Sequence, residues 1–287
     1  MSQMSEKIDP SQTLDIRPIA GALGAEVGGV DLSQDLSDDT IAEIRQALLD
    51  HLVIFFRDQN ITPDLHLAFA KRFGETVEYP LVKGLEGYPE IVSVVKLEHE
   101  KFNFGGLWHT DTSYLEKPPM GSILLARELP PYGGDTEFAN MYMAYETLSD
   151  GMKTLLAPLK GVNVSNLPKV QQTRQARVED STKTAQETVL TATHPVIRTH
   201  PETGRKALYV NGAHTIRFEG LSDEECAPLL KYLFDHQTRP EFTCRFRWRP
   251  GSIAFWDNRA TQHNPINDYH GSKRVMHRIT LAGDKPY

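Results

Sequence analysis

His109 and Asp111 stand two residues apart in Leu107-Trp108-His109-Thr110-Asp111-Thr112-Ser113-Tyr114, and their types and spacing suit metal binding. On a strand, residues i and i+2 share a face, so the imidazole and the carboxylate would converge on one ion. A distant histidine would complete a 2-His-1-carboxylate facial triad, an arrangement that leaves coordination positions open on ferrous iron. His263 is the candidate, because it follows a strand-like run in Phe255-Trp256-Asp257-Asn258-Arg259-Ala260-Thr261-Gln262-His263-Asn264. Arg274 and Arg278 come next, and alternation on a strand would turn both, with Met276, to one face. Two planar guanidinium forks there could each grip a carboxylate.

Positioning residues that lie so far apart requires a fold that returns late strands to early ones, as a jelly roll does. The chain has the material for one. Short β-rich runs recur at Ile91–Val95, Ser122–Ala126, Thr136–Ala139, Lys206–Val210, Phe242–Trp248, Ile253–Trp256 and Met276–Leu281. The first strand is expected near Leu14–Ile19, and Leu52–Phe56 reads as a buried strand. Helices are expected after Ser37, where Ile41, Ile44 and Leu48 recur, and after Thr62-Pro63, where Leu65, Phe69 and Phe73 form a stripe. Two more fall near Met141–Leu156 and Ser222–His236, the second opening on the capping box Ser222-x-x-Glu225. The fold class expected is mainly β with flanking helices, a double-stranded β-helix of cupin type. Residues 1–13 read as a disordered tail and 14–287 as one domain. The polar stretch at 165–190 reads as a mobile loop or lid.

A formal net charge of -7 argues against nucleic acid as a partner. Two cysteines, Cys226 and Cys244, make no disulfide framework and read as buried thiols. No apolar stretch reaches membrane-spanning or signal-peptide length, so a cytosolic protein is expected. His51, His99, His236 and His270 read as surface residues. Trp108 and Trp256 read as packing residues, and Arg245, Arg247 and Arg249 as a solvated strand face.

Four segments together resemble the TauD/TfdA family of Fe(II)- and 2-oxoglutarate-dependent dioxygenases. They are Gly21 to Leu32, Trp108 to Asp111, Gly133-Gly134-Asp135-Thr136, and Trp256-Asp257-Asn258-Arg259 through His263, Arg274 and Arg278. The resemblance covers most of the chain. It implies that His109, Asp111 and His263 bind iron, and that Thr136 and Arg274 hold the distal carboxylate of 2-oxoglutarate. It places Arg278 near the anionic substrate and the keto-acid end of the cosubstrate. The cofactors implied are Fe(II), 2-oxoglutarate and O2, and the related enzymes imply a homodimer or higher homo-oligomer.

Taurine-cleaving members contact their sulfonate through a histidine and a tyrosine, where this chain reads Glu78-Tyr79-Pro80-Leu81-Val82. Gly105 falls where those members carry an asparagine. Tyr79, Leu81, Val82 and Phe104 therefore suggest a more apolar pocket, with Thr112 and His214 as further substrate-wall candidates. In places, including Leu81 to Glu90, the chain looks closer to the phenoxypropionate and alkylsulfatase branch than to strict taurine dioxygenases. The substrate expected is a small anion: a sulfonate, an alkyl sulfate ester or an aryloxyalkanoate. Hydroxylation would cleave its C–O or C–S bond, with release of succinate and CO2. A zinc hydrolase could use the same three ligands, and a non-redox jelly-roll binding protein could keep the fold. The hydrolase would not need Thr136, Arg274 and Arg278, and a binding protein could lose ligands, whereas all three are present here; Arg274 could instead pair with Asp268 at the surface.

Overall fold

The computed structural model describes residues 14–179 and 189–287. The expected tail at 1–13, and residues 180–188 of the expected loop, lie outside the described residues. The chain begins with β1 (Asp15–Pro18), β2 (Ala25–Gly28), α1 (Asp38–His51), β3 (Val53–Phe56), α2 (Pro63–Lys71), β4 (Thr76–Val77) and β5 (Ile91–Lys96). Then come β6 (Gly121–Glu128), β7 (Thr136–Asn140), α3 (Met141–Glu146), α4 (Asp150–Leu156), β8 (Lys160–Val164), α5 (Pro168–Glu179) and β9 (Thr191–Pro195). The remainder holds β10 (Ile197–Thr199), β11 (Lys206–Leu208), β12 (Thr215–Phe218), α6 (Asp223–Gln237), β13 (Thr243–Phe246), β14 (Ile253–Asp257), β15 (Thr261–Pro265) and β16 (Arg274–Leu281).

The main sheet runs β1-β2-β3-β14-β6-β16-β4, with β5 also paired to β16. Its central strands β3, β14, β6 and β16 are largely buried on both faces, and alternation sorts their side chains between two cores. Val53, Phe55, Leu124, Ala254, Trp256 and Met276 point inward to meet Phe138, Cys244 and Phe246 of a second sheet, β13-β7-β15. Phe55 stacks on Phe246 with ring centroids 3.9 Å apart, and burying one such ring stabilises the fold by roughly 1.5–3 kcal/mol. Ile54, Phe56, Ile123, Leu125, Ile253, Phe255 and Ile279 point outward under α1 and α2. The two facing sheets are the jelly roll, and the helices cover its outer face.

Local chemistry sets the helix ends. Ser37, Thr62 and Ser222 cap α1, α2 and α6 as their sequence contexts indicate, with the full capping box present at Ser222. The single helix expected over Met141–Leu156 is instead two, because Ser149 accepts from Met152 N and starts α4 afresh. Part of the loop expected at 165–190 is the helix α5, opened by Pro168 and rich in Gln, Arg and Lys. Proline at the first helical position and good helix formers after it suffice, although the segment offers little to a core. His236 is buried rather than superficial: it lies on α6 and its Nε2 is 2.8 Å from Ala144 O. Cys226 and Cys244 are free and buried. Among the described residues, no helix is long and apolar enough to cross a membrane.

Candidate metal centre

His109, Asp111 and His263 meet in the space between the two sheets. One ligand atom from each lies within 4.8 Å of the others, and all three residues are buried. The sequence places His109 and Asp111 on a strand, and the structure differs. His109 makes only an isolated bridge, exchanging backbone hydrogen bonds with His263 at 3.0 and 2.9 Å. The chain then turns, with Thr112 in the left-handed region at φ 43°. The bridge brings the imidazoles together, with ring centroids 4.1 Å apart, and the turn brings Asp111 Oδ1 to 3.7 Å from His109 Nε2.

Hydrogen bonds and charge prepare these groups as ligands. His109 Nδ1 lies 2.6 Å from Leu107 O; as donor to that carbonyl it leaves the Nε2 lone pair facing Asp111. Burial, followed by the neighbouring His109, holds His263 well below the usual imidazole range and so neutral. Burial opposes ionisation of Asp111, but the Arg278 guanidinium beside it outweighs that cost, and the carboxyl stays well below its usual range. Two imidazoles and one carboxylate fit a divalent first-row metal.

Arg274 and Arg278 share the inner face of β16 with Met276, as alternation requires. Arg274 is buried, and its Nε and Nη2 have no hydrogen-bond partner among the described residues. It does not pair with Asp268, which instead accepts from Gly134 N and lies near Arg245. A buried guanidinium left in this way is costly unless an anion meets it. Thr136 lies beside the same indole as Arg274: its Oγ1 accepts from Trp248 Nε1 at 2.9 Å, and Arg274 sits 5.7 Å from the Trp248 ring. The Thr136 hydroxyl keeps its own proton to donate. Gly134, at φ 70°, keeps the turn before β7 close: a β-carbon there would meet Arg274 Cδ and Tyr269 Cδ1 at 3.3 Å.

Arg278 donates to Asp111 Oδ1 at 3.0 Å, lies against the rings of Tyr79 and Phe104, and has Nε and Nη2 without partners. A small cavity of about 30 Å³ reaches His109 and Asp111 and is lined by Tyr79, Phe104, Gly105, Thr112 and His214, with Val170 and Thr173 from the α5 region. A second, largely apolar cavity of about 280 Å³ shares Tyr79, Asp111 and Thr112 with it and includes Arg278. Leu81 and Val82 line neither cavity; they pack with Tyr79, Val92 and Phe104 behind the wall.

Sequence reasoning did not single out Ser122 or Asn258, both bonded to Asp111 Oδ2, or Trp248, which joins Thr136 to Arg274. Asn258 stands within Trp256-Asp257-Asn258-Arg259 and could have been suspected there. Ser122 gives no local signal.

A family model described as "Taurine catabolism dioxygenase TauD, TfdA family" matches residues 15–280. The chain is 38% identical over 280 residues to an alpha-ketoglutarate-dependent sulfate ester dioxygenase of Pseudomonas putida, covering 95% of this chain and 91% of that one. It is 37% identical over 281 residues to an alkylsulfatase of Acinetobacter baylyi, covering 96% and 87%. A crystal structure of a taurine dioxygenase from Burkholderia xenovorans superposes with a TM-score of 0.81 at 38% identity, covering 96% and 91%.

Proposed function

The chain belongs to the TauD/TfdA family of dioxygenases, and from that premise we propose that it hydroxylates a small anionic substrate, first among the candidates an alkyl sulfate ester. It is an Fe(II)- and 2-oxoglutarate-dependent dioxygenase. The observation that carries the reading is the buried guanidinium of Arg274, its Nε and Nη2 without partners among the described residues, on the same face of β16 as Arg278, which bonds the Asp111 carboxylate of the His109–Asp111–His263 cluster. A zinc hydrolase would not need that cation.

His109, Asp111 and His263 would hold the iron. Bound there, Fe(II) with O2 supplies the oxidation that converts 2-oxoglutarate to succinate and CO2 and hydroxylates a substrate C–H. Arg274 and Thr136 would fix the distal carboxylate of 2-oxoglutarate through charge-assisted bonds. Arg278, with two N–H groups to spare, would face the substrate's anionic head. Tyr79, Phe104, Thr112 and His214 would form the wall that aims one carbon at the centre. Hydroxylation at the carbon bearing the ester oxygen gives a product that collapses to a carbonyl compound and frees the anion. Sulfonates and aryloxyalkanoates present an anionic head too, a sulfonate or a carboxylate, and remain in the substrate class.

A single domain over 14–287, a cytosolic homo-oligomer, and a lid role for the segment containing α5 complete the proposal. Val170 and Thr173 in the cavity wall support the lid role. The test is oxygen uptake and succinate release with Fe(II), 2-oxoglutarate and a panel of alkyl sulfates, sulfonates and aryloxyalkanoates. Substrate-stimulated succinate is expected, highest with an alkyl sulfate, and Asp111→Ala should abolish it. Succinate release that no substrate raises, or full activity in Asp111→Ala, would overturn the reading.

A further inference from the structure

The two oxygens of Asp111 are held differently. Oδ1 faces His109 Nε2 at 3.7 Å and accepts from Arg278 Nη1 at 3.0 Å. Oδ2 turns away and accepts from Ser122 Oγ at 2.8 Å and from Asn258 Nδ2 at 3.4 Å. Asn258 Nδ2 also reaches Ser122 Oγ at 3.3 Å. The amide cannot be turned over, because Asn258 Oδ1 accepts from Trp256 Nε1 at 3.0 Å and an indole nitrogen only donates. Ser122 is itself immobile: it lies mid-sheet on β6, opposite Trp256 of β14 on one side and Thr280 of β16 on the other. Ser122, Asn258 and Trp256 are all buried, so water does not compete for these bonds.

We propose that Ser122 and Asn258 are positioning residues that occupy Asp111 Oδ2 and so present Oδ1 alone to the metal. The proposal rests on the metal-centre reading above. A carboxylate can bind a cation through one oxygen or two. A centre that must accept both a chelating keto acid and O2 gains from the one-oxygen mode, because the second oxygen would take a position they need. Tying Oδ2 to strand β6 also holds the carboxylate in its ligating orientation before metal arrives, which is how hydrogen bonds behind a ligand raise affinity.

The test is titration of the metal-free full-length protein with Mn(II), alongside the visible spectrum of the Co(II) form. Ser122→Ala should weaken Mn(II) binding by about 10- to 100-fold and shift the Co(II) bands, with the melting temperature of the metal-free protein close to that of the parent. Asn258→Ala should act in the same direction. Ser122→Cys, a weak donor of similar size, should fall between and carries the test if the alanine variant does not fold. Mn(II) binding by Ser122→Ala as tight as the parent's or tighter, with an unchanged Co(II) spectrum, would overturn the proposal while Asp111→Ala still abolishes binding. A parent that binds no Mn(II), or an Asp111→Ala variant that binds as the parent does, would remove the metal-centre reading and this proposal with it.

Discussion

At the scale of single residues, Arg274 is a buried side chain whose polar surroundings are incomplete. Burial lowers its affinity for a proton, yet no described residue supplies its Nε and Nη2 with acceptors. An incoming carboxylate therefore gains a charge-assisted pair and relieves a buried, unpaired cation. Such bonds contribute about 1.5–3 kcal/mol, so Arg274→Ala should weaken 2-oxoglutarate binding by roughly 10- to 100-fold. Arg274→Lys should recover little, because an ammonium cannot reproduce the planar fork. Calorimetric titration of the metal-loaded protein with 2-oxoglutarate measures both, and an unchanged affinity in Arg274→Ala would move the role to Arg278. The residue types of the site were legible in the sequence. Their satisfaction was not: Asp268 was an equally good partner for Arg274 until the turn at Gly133 and Gly134 committed it elsewhere.

At the scale of elements, the turn from β14 to β15 delivers His263, and a buried charge network holds that turn. Asp257 Oδ2 accepts from Arg259 Nη2 at 2.6 Å and from His200 Nε2 at 3.0 Å, and Arg259 Nη1 reaches Glu202 at 2.6 Å. Asp257 and His200 are fully enclosed, and removing one partner of a buried pair leaves the other charge uncompensated. Arg259→Ala should therefore cost about 3–5 kcal/mol of stability. Urea unfolding would register this as a lower midpoint, and a midpoint equal to the parent's would show that the network does not hold the turn. The runs that became β1, β3, β5, β6, β7, β11, β13, β14 and β16 were legible because strings of β-branched and aromatic residues are a local signal, whereas β15, which carries His263, was not among them. The break between α3 and α4, and the helix α5 within an apparent loop, were less so, since one cap or one proline decides them.

At the scale of the whole molecule, pH acts through a histidine that the fold keeps neutral. His66 of α2 is enclosed against the main sheet, with neither ring nitrogen hydrogen-bonded among the described residues; burial, then His277 and Arg127, push it down to about 3. Unfolded, the same imidazole titrates near about 6.5. Between those values the unfolded chain binds a proton that the folded chain refuses. The stability associated with neutral His66 is thus full above the unfolded value and is lost as pH falls. At about pH 5 the loss from this group is about 2 kcal/mol. His66→Leu should lose less stability than the parent between about pH 7.5 and about pH 5, a difference that denaturant unfolding at the two values would measure; equal losses would exclude His66 as the source. By itself the sequence determined the ligand types, the inner face of β16 and the jelly-roll class, because composition, spacing and alternation belong to the chain locally. Only the tertiary structure decided that a bridge and a turn present His109 and Asp111, that Leu81 and Val82 stand behind the wall, and that Ser122 and Asn258 hold Oδ2. Those outcomes depend on strands far apart in sequence meeting in one register, and no local pattern encodes which side chains then touch.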